Sequence, residues 1–480
     1  MRQFSFFIKY VIQQNYFVTV CFLAAATLRI IWISLYDVYP VSDCQFYFQS
    51  AIDLSIGNGY LRNGVLTDFW PVGYPVFLAI VFLVFEISIK IAQFSNVTLS
   101  LISLLVFYAL CIRLFKSKSI ARIAFFFLAL FPDQIFYNAL VFSESLSFFL
   151  LILGLYLYTH TSFSKTTCLL SSSIIFSFAC YVKPQFILVP ALCVFSEYLT
   201  QKHSVISLFR KGLLIYVIII VCVLPWTIRN KKVTDKYTFI SSNGGINLLI
   251  GNSPIATGTF IGNQGIIIAA KGSDIPPGQH ALKYIRKNPL RFFLLWPKKF
   301  YYLYLDYKSE PLAWMSFSML PETFTQNEFF AISKDLREKG LDSRLFFEHF
   351  KKNNQTNHYH LDKKASDQVK TNLANLILKS PSYKYKPPKE FNILSYFWIV
   401  ARYFILTSFL LYVFSIFFKI DMRKKLLENQ HSCIGILLIL YFSLVYLVFF
   451  GETRFSFSIM PFIIMYSSVF LDRVLSGDTS

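Results

Sequence analysis

Charge is scarce in this chain, and negative charge most of all. Of 480 residues only 15% are charged, 26 acidic against 46 basic, and 18 glycines stand beside 54 Phe and 29 Tyr. A soluble domain of this length carries more charge and shorter apolar runs, so that class is excluded. No C-x-x-C pair occurs among the eight cysteines, and most of them, such as Cys21, Cys111, Cys180 and Cys222, lie inside apolar runs. They read as small buried hydrophobes, not as a disulfide framework or a zinc site. The N-terminus shows no small-residue cleavage site after a short apolar core, so the first apolar run reads as a retained span. No internal repeat stands out, which argues against inverted-repeat transporters.

What is present is 55% hydrophobic residue, 19% of the chain being aromatic, with a mean hydropathy of +0.51. That composition predicts an all-α polytopic membrane protein. The formal net charge of +20 invites a nucleic-acid reading. The basic residues, however, cluster at the ends of apolar runs and in one long polar segment, where membrane lipid is the nearer partner.

Arg2 and Lys9 place the first residues on the cytoplasmic side. The span 16–36 then leads outward and carries Arg29 roughly 10 Å from its outer end, at 1.5 Å per residue. Arg29 either snorkels to the interface or faces the bundle interior near an anionic ligand. Arg113, Lys116, Lys118 and Arg122 mark the inside, so the stretch 73–112 crosses once and lays its other apolar piece along the interface. Further spans are expected over 120–132, 136–158, 168–181, 186–198, 212–226, 393–418, 434–450 and 455–471. The total is about ten crossings, with both termini cytoplasmic.

Three parts result: a transmembrane module over 1–228 whose first outer loop is 36–72, an outer-side region over 229–391, and C-terminal spans over 392–480. Within the middle part 285–307 reads as one amphipathic interfacial helix. Residues 322–390, charged and rich in Asn and Lys, read as an outer-side domain or insertion.

The first outer loop holds four acids, Asp37, Asp43, Asp53 and Asp68. Ser42-Asp43-Cys44-Gln45 has the S-x-x-Q pattern of a capping box, which starts a helix at Asp43 and lines Tyr47, Ala51 and Leu54 along one face. Asp43 then has two readings. An acid in a first turn stabilises the helix dipole by a few tenths of a kcal/mol; a carboxylate there also suits a general base that takes a proton from an acceptor hydroxyl or amine. Glu144, about two turns into an apolar span, pairs with Arg29 or Arg454 to brace the bundle, or serves the chemistry, and both can hold.

Lys183, Arg229 and Arg454 lie at the outer ends of three spans, the depth at which a lipid-linked sugar presents its phosphate. The Gly- and Asn-rich stretch 241–254, with Asn247, reads as a pair of turns that also offers donors to sugar hydroxyls. Tyr47 and Tyr74 complete the candidate substrate-binding set. His358-x-His360 lacks a third ligand at recognisable spacing, so no metal ligand is assigned and a divalent metal stays open.

Several of these stretches together resemble a known family. They are the D-x-x-x-Y of Asp43 to Tyr47, Trp70-Pro71-Val72-Gly73-Tyr74-Pro75, Pro132 followed by Ser143-Glu144, Tyr181-Val182-Lys183-Pro184-Gln185, LPWTIRN at 224–230, SSNGGINLLIGNSP at 241–254 and GETRFSFSIMP at 451–461. In this order they resemble the GT-C glycosyltransferases related to protein O-mannosyltransferases and the lipid A aminoarabinose transferase, over about 1–300 and 392–472. The resemblance implies transfer of a sugar from a polyprenyl-phosphate donor to a lipid, glycan or protein acceptor. It places the reaction on the outer face of a bacterial cytoplasmic membrane, with inversion. It implies Asp43 as the base, Glu144 as the second acid, and Arg229, Lys183 and Arg454 on the donor phosphate.

The chain departs from the aminoarabinose transferases at Phe69-Trp70-Pro71, where those have Glu-Lys-Pro, which leaves both that substrate and a metal requirement open. Two other readings compete. An O-antigen-type polymerase or ligase would depend on the large outer loop more than on Asp43. A non-enzymatic flippase or transporter of a lipid-linked saccharide is opposed by the acidic first loop.

Overall fold

Long apolar runs with few helix breakers dictate the frame. In the computed structural model, which describes residues 16–160, 165–200, 204–270, 275–321, 323–353, 358–362, 364–383, 387–418 and 431–477, they form the helices α1 (Tyr16–Leu35), α2 (Asp43–Ser55), α3 (Gly73–Val84), α4 (Ile89–Phe115), α5 (Lys118–Leu130), α6 (Glu144–Tyr158), α7 (Lys165–Val182), α8 (Val189–Leu199), α9 (Val205–Thr234), α10 (Asp367–Ile377), α11 (Glu390–Phe418), α12 (Ile434–Val448) and α13 (Met460–Ser476), with shorter helices between them. α1, α4, α9 and α11 are long and apolar enough to cross a membrane, and α5 with the segment Pro132–Ala139 forms a fifth such unit bent by 55°. α3, α6, α12 and the helical segments Thr166–Val182 and Pro184–Leu199 are apolar but shorter. This is an α-helical integral membrane protein.

Two polar networks tie the bundle. Arg29 is fully buried and bonds Ser100 Oγ at 2.9 Å, Ala25 O at 3.0 Å and Ala129 O at 2.9 Å, so it points inward and joins α1, α4 and α5. Snorkelling is thereby overturned: carbonyls and a hydroxyl inside the bundle engage Nε and Nη1. No carboxylate faces it among the described bonds. On the other side Arg402 of α11, also fully buried, faces Asp133 at 3.4 Å and donates to Leu303 O, Tyr304 O and Ser456 Oγ. The Trp398 indole N–H donates to the same Asp133.

Removing one member of such a pair leaves an uncompensated buried charge at about 3–5 kcal/mol. Arg402→Met is therefore expected to lower the unfolding temperature in detergent sharply. Adding Asp133→Leu should recover most of the loss.

The chain is not purely helical. The first loop carries a hairpin, β1 (Leu61–Arg62) against β2 (Val65–Leu66), closed by Asn63 and Gly64 at φ 53° and 78°. Two positive φ values are what a two-residue type I′ hairpin turn requires, and Asn-Gly supplies them. The segment 323–361 adds a three-stranded antiparallel sheet of β3 (Thr323–Thr325), β4 (Phe350–Asn353) and β5 (His358–Leu361), in the order β3-β5-β4. A capping box of Thr325 and Glu328 starts the helix Gln326–Glu338 behind it. Phe324, Phe329, Leu336, Phe346, Leu373 and Ile377 form a second core there, which also takes in Val41 of the first loop, with the Phe329 and Tyr359 rings stacked at 3.7 Å.

Three other expectations change. Residues 241–254 hold a short helix, Gly244–Gly251, not only turns. The expected helix over 285–307 is divided: 285–287 end the helix Pro277–Lys287, Pro289, which lacks an N–H, opens Pro289–Leu294, and Trp296–Phe300 runs on into the wider turn Tyr301–Leu305. Ser42 does precede α2, but it sits at φ 53°, ψ −120° and its side chain makes no capping bond.

Lys299 braces the C-terminal turn. Its ammonium is buried and donates to Asn252 Oδ1 at 3.1 Å and Val448 O at 3.2 Å, and desolvation lowers its pKa to about 7. The unfolded chain then holds more protons than the folded one between about 7 and the ordinary lysine value near 10.4, so this group makes stability rise with pH across that window. The rise from pH 7 to 9 is expected to flatten in Lys299→Met, measured by thermal unfolding in detergent. Beside it, a Cβ on Gly451 would lie 2.0 Å from the Lys299 carbonyl oxygen. Only glycine allows this approach, which sets the path of the following residues.

Candidate active site

Four helix-end segments converge on one cluster. A turn in which Cys44 N–H donates to Val41 O at 3.1 Å puts Asp43 at the first residue of α2. Irregular backbone over 140–143 breaks the expected span, so Glu144 opens α6 and does not lie two turns inside a helix. Lys183 links the end of α7 to the 3-10 turn Pro184–Leu188. Arg454 lies in the 3-10 turn Thr453–Ser458 that leads into α13.

Arg454 is the hub. Its Nε donates to Glu144 Oε1 at 2.8 Å and its Nη1 to Asp43 Oδ2 at 3.4 Å, while its guanidinium carbon lies 4.0 Å from the centre of the Phe142 ring. Lys183 Nζ donates to the same Glu144 oxygen at 3.2 Å. Glu144 is fully buried, and its other oxygen, Oε2, has no partner among the described residues. Asp43 stays open, with 31% of its side chain exposed. The expected pairing of Glu144 with Arg454 is present; the pairing with Arg29 is not among the described bonds.

Tyr47, one turn along α2, is buried with its ring edge-on to Tyr74 at 5.7 Å. The Tyr74 hydroxyl donates to Asn96 Oδ1 at 3.1 Å, and Asn96 donates to Leu140 O just before Glu144.

Two acids were not singled out from the sequence. Glu310 accepts from Arg454 backbone N–H at 2.6 Å, from the Thr453 hydroxyl at 3.2 Å and from the Trp314 indole at 3.2 Å. Burial raises its carboxyl pKa against the opposing pull of Arg454. Burial and the Glu310 charge together raise Glu452 well above the carboxylate range. The sequence signal for Glu452 was its place two residues before Arg454; Glu310 had none, since its two partners in the cluster are 143 and 144 positions away and Trp314 is only its neighbour one helical turn on.

Other candidates lie elsewhere. Arg229 donates to Thr67 O, to Tyr60 O at 3.4 Å and to Asn230 Oδ1 at 3.2 Å, and stacks on Trp226 at 4.6 Å, so it clasps the hairpin loop. Asn247 sits half-buried on the helix Gly244–Gly251, whose leading residues pack on the same loop through Ser242 N–H to Asp68 O and Asn243 N–H to Phe69 O. Asp68 accepts from the Ser242 and Thr234 hydroxyls, Asp37 meets Lys90 at the surface, and Asp53 meets Gln49. Of the four loop acids, Asp43 alone joins Glu144, Lys183 and Arg454 among the described contacts.

No set of three or more His, Cys, Asp or Glu side chains is arranged to hold a metal ion among the described residues. A cation bridges Asp43 and Glu144 in the form of Arg454. The reaction proposed below is written with these side chains alone.

No family model and no curated protein matches the sequence. Solved structures do. The oligosaccharyltransferase of Archaeoglobus fulgidus in its apo form is similar with a TM-score of 0.52 and 14% identity, over 96% of this chain and 50% of that one. The archaeal oligosaccharyltransferase AglB from Archaeoglobus fulgidus, in complex with an inhibitory peptide and a dolichol-phosphate, gives 0.51 and 12% over 96% and 50%. ArnT from Cupriavidus metallidurans bound to undecaprenyl phosphate gives 0.41 and 13% over 96% and 78%. The chain spans about half the length of the two oligosaccharyltransferase structures. The fold is shared with these two oligosaccharyltransferase structures.

Proposed function

We propose that this chain is a membrane glycosyltransferase that moves a sugar from a polyprenyl-phosphate carrier to a lipid, glycan or protein acceptor. One observation carries the reading: Asp43, Glu144, Lys183 and Arg454, drawn from four distant segments, meet in one cluster. The fold that holds them is shared with an oligosaccharyltransferase solved with a dolichol-phosphate.

In the reaction, the Asp43 carboxylate takes the proton of an acceptor hydroxyl or amine, whose lone pair attacks the anomeric carbon. The bond from that carbon to the phosphate oxygen breaks, its electron pair leaves on the carrier phosphate, and the sugar inverts. Arg454 and Lys183 have more N–H groups than Glu144 and Asp43 use, and these face the phosphate charge that grows as the bond breaks. Glu144, sealed from solvent, holds the two cations in place. Tyr47 and Tyr74 pack beside the cluster as its apolar backing, while Arg229 and Asn247 stay with the hairpin loop and take no part in this step. The proposed side of the reaction is the outer face of a bacterial cytoplasmic membrane, a reading supported by the placement of basic residues along the sequence.

The test uses purified protein in detergent, where transport has no meaning. Acceptor-dependent release of free polyprenyl phosphate from a polyprenyl-phosphate sugar is expected from the wild type and not from Asp43→Asn. Wild-type-like release by Asp43→Asn sinks the assignment.

A further inference from the structure

We infer that Asn375, in the outer unit far along the chain, is a positioning residue that sets the aim of Asp43; the inference rests on the role proposed for Asp43. The observation behind it is the backbone immediately before that acid. Ser42 sits at φ 53°, ψ −120°, and Cys44 N–H closes onto Val41 O. This is the first central position of a type II′ turn, which glycine ordinarily fills because a Cβ is crowded there. Serine is strained in it, and such strain persists only where the surroundings over-determine the conformation. The Ser42 side chain is exposed and makes no cap, so it does not hold the turn itself.

Asn375 of α10 does. Its side-chain oxygen accepts from Ser42 N–H at 3.2 Å, and its side-chain nitrogen donates to Pro40 O at 2.9 Å and to Thr371 O at 2.8 Å. The third bond, to its own helix, fixes the rotamer from which the other two bracket the turn. Val41, between the two bracketed residues, is 2% exposed within the core that includes Leu373, Ala374 and Ile377. The same helix reaches further along the region through Gln368 to Gln49 at 3.1 Å and through the Asp367 carboxylate to Ile89 N–H at 3.2 Å. An outer unit with no chemical motif of its own thus acts as a splint for the acid loop. Misplacing a reacting group by about 1 Å costs on the order of 10²-fold in rate, which gives such a splint a kinetic signature.

The experiment measures kcat and donor KM for Asn375→Ala in full-length protein, with Asp43→Asn in parallel. Asn375→Ala is expected to lower kcat by about 10- to 100-fold, leave donor KM within about twofold, and speed hydrogen exchange at the Ser42 amide. Adding Ser42→Gly, which makes the turn self-supporting, should restore most of kcat. Should Asn375→Ala fail to fold, the isosteric Asn375→Asp, which keeps the acceptor and loses the donor to Pro40, carries the test with a smaller fall that Ser42→Gly again relieves. Unchanged kcat in whichever variant folds, or a fall that Ser42→Gly does not relieve, overturns the positioning role. An inactive Asp43→Asn beside an unaffected Asn375 variant leaves the glycosyltransferase reading intact; an active Asp43→Asn removes both.

Discussion

Asp43→Asn is expected to reduce acceptor-dependent turnover by about 10²–10⁴-fold, the usual worth of a positioned general base. Asparagine has the shape of aspartate, can start α2 in the same way, and can accept the Arg454 Nη1 hydrogen bond that the carboxylate accepts at 3.4 Å. What it lacks is the capacity to take a proton. The fold should therefore survive, with thermal unfolding in detergent changed little while release of polyprenyl phosphate collapses. Asp37→Asn and Asp53→Asn serve as comparisons, since those acids meet Lys90 and Gln49 away from the cluster; both should keep turnover near wild type. Equal losses in all three would point to loop stability in place of proton transfer.

The second large effect is expected at Arg454. Arg454→Met leaves Glu144, fully buried and already with one unpartnered oxygen, facing Lys183 alone. Breaking a buried pair in this way costs about 3–5 kcal/mol, so both thermal stability and turnover should fall. Arg454→Lys restores the charge but not the fork that reaches Asp43 and Glu144 from separate nitrogens. It should recover part of the stability and leave turnover down by more than about 10²-fold. Turnover in Arg454→Lys close to wild type would show that charge alone, not the fork, is what the site uses.

Much of the frame is legible in the residues, because an apolar run of about twenty without breakers has few alternatives to a membrane helix. The site is legible only in part. Asp43 stands out through the S-x-x-Q pattern, yet the pattern points to a side-chain cap, and the structure has a strained backbone turn instead. Lys183 and Arg454 are readable as cations at helix ends. Arg229 reads the same way, but the hairpin carbonyls of Tyr60 and Thr67 engage it, and nothing near it in the sequence indicates that.

The sheet at 323–361 was missed because its strands are three or four residues long and β4, Phe-Lys-Lys-Asn, shows no alternation between buried and exposed. Bonds that run across hundreds of positions leave no local trace, which is why Glu310 and Asn375 were invisible.

Those long separations also govern when the site comes into being. Glu144 and Lys183 are 39 positions apart, whereas Glu144 and Arg454 are 310 apart, Ser42 and Asn375 333, and Asp43 and Arg454 411. As the chain emerges from the ribosome, the Glu144–Lys183 pair can close first and neutralise a carboxylate that would otherwise sit bare within the membrane. Ser42 meets Asn375 only after α10 has been made, and Asp43 meets Arg454 only once the segment leading into α13 has been made. The cluster of Asp43, Glu144, Lys183 and Arg454 thus closes long after the first helices are made, so helix insertion and assembly of the cluster are separate events in its biogenesis.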